Sequence, residues 1–136
     1  MPGKVTPSIE DYLENIYLLD EGAGVRSTDI ARMMGVSKPS VNRALGSLGE
    51  MNLIRKERYA LVYLTEEGRE KAMGVLRRHT TIRDFLQHLL LLDQAVADEE
   101  ACKIEHAMSD ETVRRIGLLL ELLRKRGELP LPGTEF

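Results

Sequence analysis

The sequence predicts a mainly α-helical fold, because apolar residues recur at spacings of three and four along most of the 136-residue chain. The exception lies between Leu53 and Leu64, where two short runs rich in branched and aromatic residues predict a β-hairpin. Hydrophobic residues make up 43% of the chain and charged residues 30%, which argues against disorder. Because there is no long apolar run and no signal peptide, we expect no membrane partner and a cytoplasmic location.

The N-terminal part predicts two helices before Gly35. An amphipathic helix begins near Ser8 and ends at the glycine-rich break 21–24. A second, shorter helix spans 28–34, with Ser27 as its N-cap and Gly35 as its stop. Both helices have their apolar residues on one face, as expected for helices that pack on a core.

A third helix and the hairpin complete this part of the chain. The helix has Ser37 as its N-cap and Pro39 in its first turn, and it runs to about Met51. Two short helices joined by Gly-Val-Ser make a helix-turn-helix, and the strands 53–56 and 60–64 would form its wing. The sequence thus predicts a winged helix-turn-helix.

The C-terminal part predicts three more helical segments. One spans 65–90, the next spans 94–107, and the last begins at its N-cap Ser109. The remainder, 127–136, contains two prolines and two glycines and is expected to be extended. We therefore expect two domains joined inside one long helix, a winged helix-turn-helix and a helical domain, over residues 1–71 and 72–136.

Positive charge is concentrated in the winged segment. Between Val25 and Tyr63 there are seven Lys and Arg against three Asp and Glu, although the whole chain has a net charge of −3. Such a cluster of positive charge is a candidate binding surface for a polyanion, and the alternative is that it is only a solvated face. In a helix-turn-helix the second helix enters the major groove while flanking groups hold phosphates. The segment therefore predicts contact with double-stranded DNA, and the alternative is a winged helix that binds only proteins. The predicted DNA contacts are Arg26, Ser37, Lys38, Pro39, Ser40, Asn42, Arg43, Arg55, Lys56 and Arg58.

Three potential metal ligands stand at helical spacing in the C-terminal part. Cys102, Glu105 and His106 would share one helix face, and thiolate, carboxylate and imidazole together suit a transition metal of borderline softness. Each residue alone could be structural, as a small core residue, a surface acid or a core imidazole. Further candidates are His79, Asp11 and Glu14, although Asp11 could be a capping-box carboxylate and Glu14 a solvated acid.

The order of these motifs resembles the DtxR/MntR family of iron- and manganese-dependent transcriptional repressors. The matching stretches are Pro7–Glu14, the helix-turn-helix with Ser37 and Pro39, the pair Arg78-His79, and Glu100–Ser109. The resemblance covers nearly the whole chain and implies a regulatory metal that links the first helix to the dimerisation helices. It implies six metal ligands: Asp11, Glu14, His79, Cys102, Glu105 and His106.

The implied ligand set combines two branches of that family. The iron-responsive branch resembles this chain at Cys102, Glu105 and His106 but usually has Met at the position of Asp11. Its ancillary metal site uses a Glu and a His at the positions held here by Arg83 and Asp98, so this chain departs from that site. The iron-responsive branch also has an SH3-like domain, for which 136 residues are too few, so the resemblance implies a two-domain form. The manganese branch resembles this chain in length and at Asp11 and Glu14, but it usually has Glu at the position of Cys102. The implied effector is Fe²⁺ or Mn²⁺, with Zn²⁺ or Co²⁺ able to bind in vitro, and Glu14 and Glu105 could bridge a second ion.

These features predict a metal-sensing repressor, a homodimer that binds a pseudo-palindromic operator to control metal homeostasis genes. The alternative is a winged-helix regulator that responds to a small organic ligand or to oxidation of Cys102. No enzyme activity and no small organic substrate are expected. A di-metal carboxylate enzyme needs Glu-x-x-His pairs, whereas the residues three before the histidines are Leu76, Phe85 and Lys103.

Overall fold

The structure is a computed structural model, and it describes residues 7–57 and 60–134. The chain divides into two compact units, Met1–Gly74 and Val75–Phe136, and the division falls within one helix. Among the helices described, none is long and apolar enough to cross a membrane.

The first unit opens with helix α1 (Ile9–Leu19). Its start is a capping box: the Ser8 hydroxyl accepts a hydrogen bond from the Asp11 N–H at 3.2 Å, and Asp11 Oδ2 accepts one from the Ser8 N–H at 2.8 Å. The predicted start of this helix is therefore confirmed, and one carboxylate oxygen of Asp11 already has a structural partner.

The helix-turn-helix consists of α2 (Ser27–Met34) and α3 (Lys38–Glu50). The prediction that Ser27 is the N-cap of α2 is wrong, since Arg26 holds that position and makes no side-chain cap bond. Arg26 is at the same time the end of a strand, so the helix follows without a separate capping residue. Gly35 ends α2 in the left-handed conformation with φ 65°, as predicted.

The wing is part of a three-stranded antiparallel sheet of order β1-β3-β2. Strand β1 is Val25–Arg26, β2 is Ile54–Lys56 and β3 is Leu61–Leu64. The hairpin was predicted and β1 was not, because two residues carry no periodic pattern, and β1 forms only by pairing with β3. Arg58, in the predicted turn, lies outside the described residues.

The core of this unit lies between the three helices and the sheet. Its fully buried large side chains are Leu13, Ile16, Ile30, Val41, Leu45, Leu48 and Val62. At Gly68, a Cβ atom would lie 1.9 Å from the carbonyl oxygen of Leu53, so only glycine lets this helix approach the loop before β2.

The second unit contains the end of α4 (Glu66–Asp84), which passes into a π-helical turn (Phe85–Leu89), followed by α5 (Gln94–Ile104) and α6 (Asp110–Arg126). The predicted helix 94–107 is wrong at its C-terminus, because α5 ends at Ile104. The Ser109 hydroxyl accepts from the Thr112 N–H at 3.2 Å, which confirms the predicted cap of α6. The tail 127–134 is not simply extended, since the Thr134 N–H bonds back to the Leu131 carbonyl at 3.1 Å.

Candidate metal centre and DNA interface

The centre of the candidate metal site is a buried carboxylate. Glu105 directly follows α5 and has no exposed surface. Its Oε2 lies 2.8 Å from Nδ1 of His79, a buried residue of α4. A carboxylate in such surroundings is costly to bury unless positive charge or hydrogen-bond donors face it.

Two more of the predicted ligands lie around the same pair. The Cys102 sulfur is 3.8 Å from His79 Nδ1, and His106 Nε2 is 3.1 Å from Glu105 Oε1. The structure thus brings together four of the six predicted ligands, all in the second unit. The remaining two, Asp11 and Glu14, belong to α1 of the first unit, both partly buried, and their participation stays a prediction.

The donor set fits a divalent transition metal. Glu105 Oε1 is buried and accepts no hydrogen bond from the residues described, although His106 Nε2 lies 3.1 Å away. A buried acceptor in this state is stabilised by a bound cation. Imidazole, carboxylate and thiolate are the ligands that such ions use. The types of side chain and the unsatisfied oxygen of Glu105 therefore both indicate a metal site.

The turn that carries Glu105 and His106 is held from α4. The guanidinium of Arg78 donates hydrogen bonds to the carbonyl oxygens of Glu105 and Met108 and pairs with the carboxylate of Asp110. This clasp fixes the backbone between α5 and α6 from the residue next to His79. Sequence reasoning missed it, because no periodicity distinguishes an arginine that binds carbonyls from an exposed one.

The outer nitrogen of His79 also has a partner. Its Nε2 is 3.1 Å from Asp98 Oδ1, and Arg83 Nη1 is 3.9 Å from the same oxygen. Neither Asp98 nor Arg83 was predicted as a site residue. The imidazole therefore lies between two carboxylates, Glu105 at Nδ1 and Asp98 at Nε2.

The start of α3 presents four of the ten predicted DNA-contacting residues to solvent. Lys38, Pro39, Asn42 and Arg43 are exposed, while the apolar side of the helix is buried in the core. Ser37 also serves as N-cap: its hydroxyl accepts from the Ser40 N–H at 3.3 Å. Their role at DNA stays a prediction, and their exposure meets its first requirement.

The basic residues of the sheet are also on the surface. Arg26, Arg55 and Lys56 are exposed. Arg55 is already engaged within the wing, since it pairs with Glu57 at 3.0 Å and lies over the ring of Tyr63, 5.3 Å from its centroid. A phosphate would have to compete with these contacts for Arg55, whereas no such contact to Lys56 is made within the described part of the chain.

Both halves of the chain match models of known families. Residues 4–62 match the N-terminal DNA binding domain of the iron dependent repressor, and residues 65–127 match its metal binding and dimerisation domain. The chain belongs to the DtxR/MntR family of metal-dependent repressors. The predicted family and the predicted fold class, a winged helix-turn-helix followed by a helical domain, are confirmed.

Individual relatives agree with the family match. The chain is 36% identical over 124 residues to an uncharacterised HTH-type transcriptional regulator of Methanocaldococcus jannaschii, covering 90% of this chain and 99% of the relative. It is 33% identical over 121 residues to the HTH-type transcriptional regulator MntR of Shouchella clausii, covering 88% of this chain and 84% of the relative. The structure of the manganese regulator SloR superposes with a TM-score of 0.77 at 35% identity, over 86% of this chain. This chain spans 55% of the SloR chain, about half its length.

The chain is therefore a metal-dependent transcriptional repressor of the kind that binds Fe²⁺ or Mn²⁺. Its first half is the DNA-binding domain, and its second half is the metal-binding and dimerisation domain. The family is one of transcriptional regulators.

Proposed function

We propose that this repressor acts as a homodimer that binds a pseudo-palindromic operator when Fe²⁺ or Mn²⁺ is bound, and so controls metal homeostasis genes. The observation that carries the proposal is the buried Glu105 carboxylate, with His79, Cys102 and His106 around it and an oxygen that accepts no hydrogen bond from the described part of the chain. The domains assigned to these roles are 1–71 for DNA and 72–136 for metal and dimerisation.

The proposed ligands are those that the family resemblance implies, namely Asp11, Glu14, His79, Cys102, Glu105 and His106. Four of these ligands are acidic or can ionise to a thiolate, and they repel one another without a cation. A bound metal ion supplies the positive charge that removes this repulsion. Glu14 and Glu105 are the carboxylates that would bridge if a second ion is taken up.

Regulation follows from thermodynamic linkage between metal binding and DNA binding. The DNA-competent arrangement must bind metal more tightly than the other arrangements, and DNA must then tighten metal binding by the same factor. Metal in excess would thus increase occupancy of the operator and lower transcription of the genes it controls.

At the operator, α3 is the proposed recognition helix. Arg43 can bind guanine bidentately, Asn42 can pair with adenine, and Pro39 offers an apolar edge to thymine methyl groups. Ser37, Lys38 and Ser40 complete the predicted contacts of this helix, and Arg26, Arg55, Lys56 and Arg58 are the predicted phosphate contacts. In a dimer, the two half-sites lie about 34 Å apart, or a multiple of that distance.

The choice of metal rests on two opposing considerations. The similarity to SloR, a manganese regulator, favours Mn²⁺. The thiolate of Cys102 instead favours Fe²⁺, Co²⁺ or Zn²⁺ over Mn²⁺.

An anaerobic titration tests the proposal. The apo-protein receives Mn²⁺, Fe²⁺ or Zn²⁺ at fixed salt, and retardation of a DNA fragment from its own upstream region is followed. We expect retardation to appear at micromolar or lower free Mn²⁺ or Fe²⁺, on the order of the metal affinities of other divalent sensors. Equal retardation in excess chelator would overturn metal control.

A second candidate signal is oxidation of Cys102. Its sulfur lies 3.8 Å from an imidazole nitrogen of His79, and the residue is exposed. A neighbouring imidazole promotes the reactive thiolate. If oxidation is the signal, peroxide changes DNA binding in the wild type but not in Cys102→Ser, and a chelator has no effect on either protein. Loss of DNA binding in chelator alone would exclude it.

A further inference from the structure

One side of the His79 ring faces away from Glu105 and Cys102. There, Nε2 lies 3.1 Å from Asp98 Oδ1, which is on α5 four residues before Cys102. Nδ1 faces the opposite way, 2.8 Å from Glu105 Oε2 and 3.8 Å from the Cys102 sulfur. A carboxylate thus lies at each ring nitrogen: Asp98 at Nε2, and Glu105, which is itself a proposed metal ligand, at Nδ1.

An imidazole that binds a metal ion must offer a lone pair at one nitrogen and carry its proton on the other. An ionised carboxylate can only accept a hydrogen bond, so a carboxylate beside Nε2 favours the tautomer with the proton on Nε2. Glu105 is a proposed ligand, so when it binds a metal ion the proton would stay on Nε2, and the lone pair of Nδ1 would be available to the ion. Histidine ligands of metals commonly donate their second N–H to a carboxylate in this way, which fixes both tautomer and ring orientation.

We propose that Asp98 is a positioning residue of the metal site, which holds His79 as the Nε2–H tautomer and directs Nδ1 toward the ion. The proposal rests on the proposed function, in which His79 is a ligand. Asp98 itself does not touch the metal.

The surroundings of Asp98 distinguish this role from direct ligation. Arg83 Nη1 lies 3.9 Å from the same Oδ1 that faces His79, and Arg83 is also paired with Asp84 at 3.2 Å. The guanidinium of Arg83 attracts the Asp98 carboxylate and repels a second cation placed there. The Asp98 side chain is 44% exposed, so this attraction is partly screened by solvent and supports the orientation rather than determining it.

Two substitutions at Asp98 and one beside it make a graded test. Asp98→Ala removes the acceptor, whereas Asp98→Asn removes the charge but keeps a carbonyl oxygen that can still accept from Nε2–H. Glu99→Ala is the matched control, because Glu99 is the next acidic residue on α5 and is exposed, paired only with Lys103 at 3.5 Å among the contacts described. The affinity of each purified protein for Mn²⁺ and Zn²⁺ is measured by competition with a fluorescent chelator.

We expect Asp98→Ala to weaken metal affinity by about 10- to 100-fold, the range known for partners of ligating histidines. Asp98→Asn should weaken it less, and Glu99→Ala should leave it unchanged. Wild-type affinity in Asp98→Ala, with normal metal binding by the wild type, would overturn the role of Asp98 alone. Absence of metal binding by the wild type would overturn the proposed function as well.

A second measurement needs no variant and so does not depend on how a substituted protein folds. Long-range ¹H–¹⁵N spectra of the Zn²⁺-loaded wild type, labelled with ¹⁵N-histidine, report which ring nitrogen is metal-bound and which carries a proton. We expect His79 to show Nδ1 bound and Nε2 protonated. Binding through Nε2, or loss of its proton, would overturn the proposal.

Discussion

The start of α3 and the surroundings of Glu105 both present functional side chains, but they are organised differently. In α3 the orientation of each side chain follows from the helix itself, whose start is fixed by the Ser37 cap and Pro39. At Glu105, the neighbours come from distant positions: His79 is 26 residues away in sequence, and Arg78 is 27. The first region depends on local rules and the second on tertiary contacts, so substitutions should affect them in different ways.

The largest effect should come from the residue on which the tertiary cluster depends. Glu105→Gln keeps the size of the side chain and removes its charge, so we expect affinity for Mn²⁺ or Fe²⁺ to fall by more than about 100-fold, exceeding the loss of an orienting partner. Chelator competition measures the change, with Glu99→Gln as control. If Glu105→Gln retains wild-type affinity, the metal binds elsewhere.

Substitutions at two glycines compare a position constrained by a tertiary contact with one constrained only by its own helix. In Gly68→Ala the new methyl group would meet the Leu53 carbonyl, and we expect the free energy of unfolding to fall by about 2–4 kcal/mol. In Gly46→Ala, within α3, the added Cβ has no heavy atom within 4 Å, and helix propensity should raise stability by up to about 1 kcal/mol. Urea unfolding of both variants measures the difference, and equal effects would contradict it.

The Arg78 clasp should raise metal affinity although Arg78 does not contact the metal. Arg78→Ala frees the turn that carries Glu105 and His106, so we expect metal affinity to decrease by about 10- to 100-fold. Arg77→Ala is the matched control, because Arg77 is an exposed neighbour on the same helix. Should Arg77→Ala and Arg78→Ala bind metal equally well, the clasp has no part in ordering the site.

The smallest effect is expected from a single contact at DNA. Arg43→Ala removes one base-reading side chain, which should cost about 1–3 kcal/mol of operator affinity and leave metal affinity unchanged. Fluorescence anisotropy at fixed salt and saturating metal measures it, with Lys71→Ala as control on another exposed cation. A change in metal affinity in Arg43→Ala would show that the two regions are not organised separately.

The same contrast explains what the sequence could predict. The caps Ser8, Ser37 and Ser109 were confirmed, because each depends on a backbone N–H three residues away. Strand β1 was missed and Ser27 was wrongly predicted as a cap, since both depend on pairing between Val25–Arg26 and β3.

The metal site shows this division within one cluster. Cys102, Glu105 and His106 were recognised as candidates from their spacing alone, although only Cys102 lies within α5. Arg78 and Asp98 were missed as site residues, because their roles arise from contacts to residues 19 or more positions away. No local pattern distinguishes them from exposed charged residues.

The π-helical turn Phe85–Leu89 affects how this chain should be aligned with its relatives. Its Leu90 N–H bonds to the Phe85 carbonyl at 3.3 Å, five residues back, so the turn holds one residue more than an α-helical turn would. A relative whose helix continues without the turn would need a one-residue gap between His79 and Cys102. An alignment that forbids the gap would displace either the histidine or the cysteine from its counterpart, and ligands inferred from such an alignment would be one position out of register.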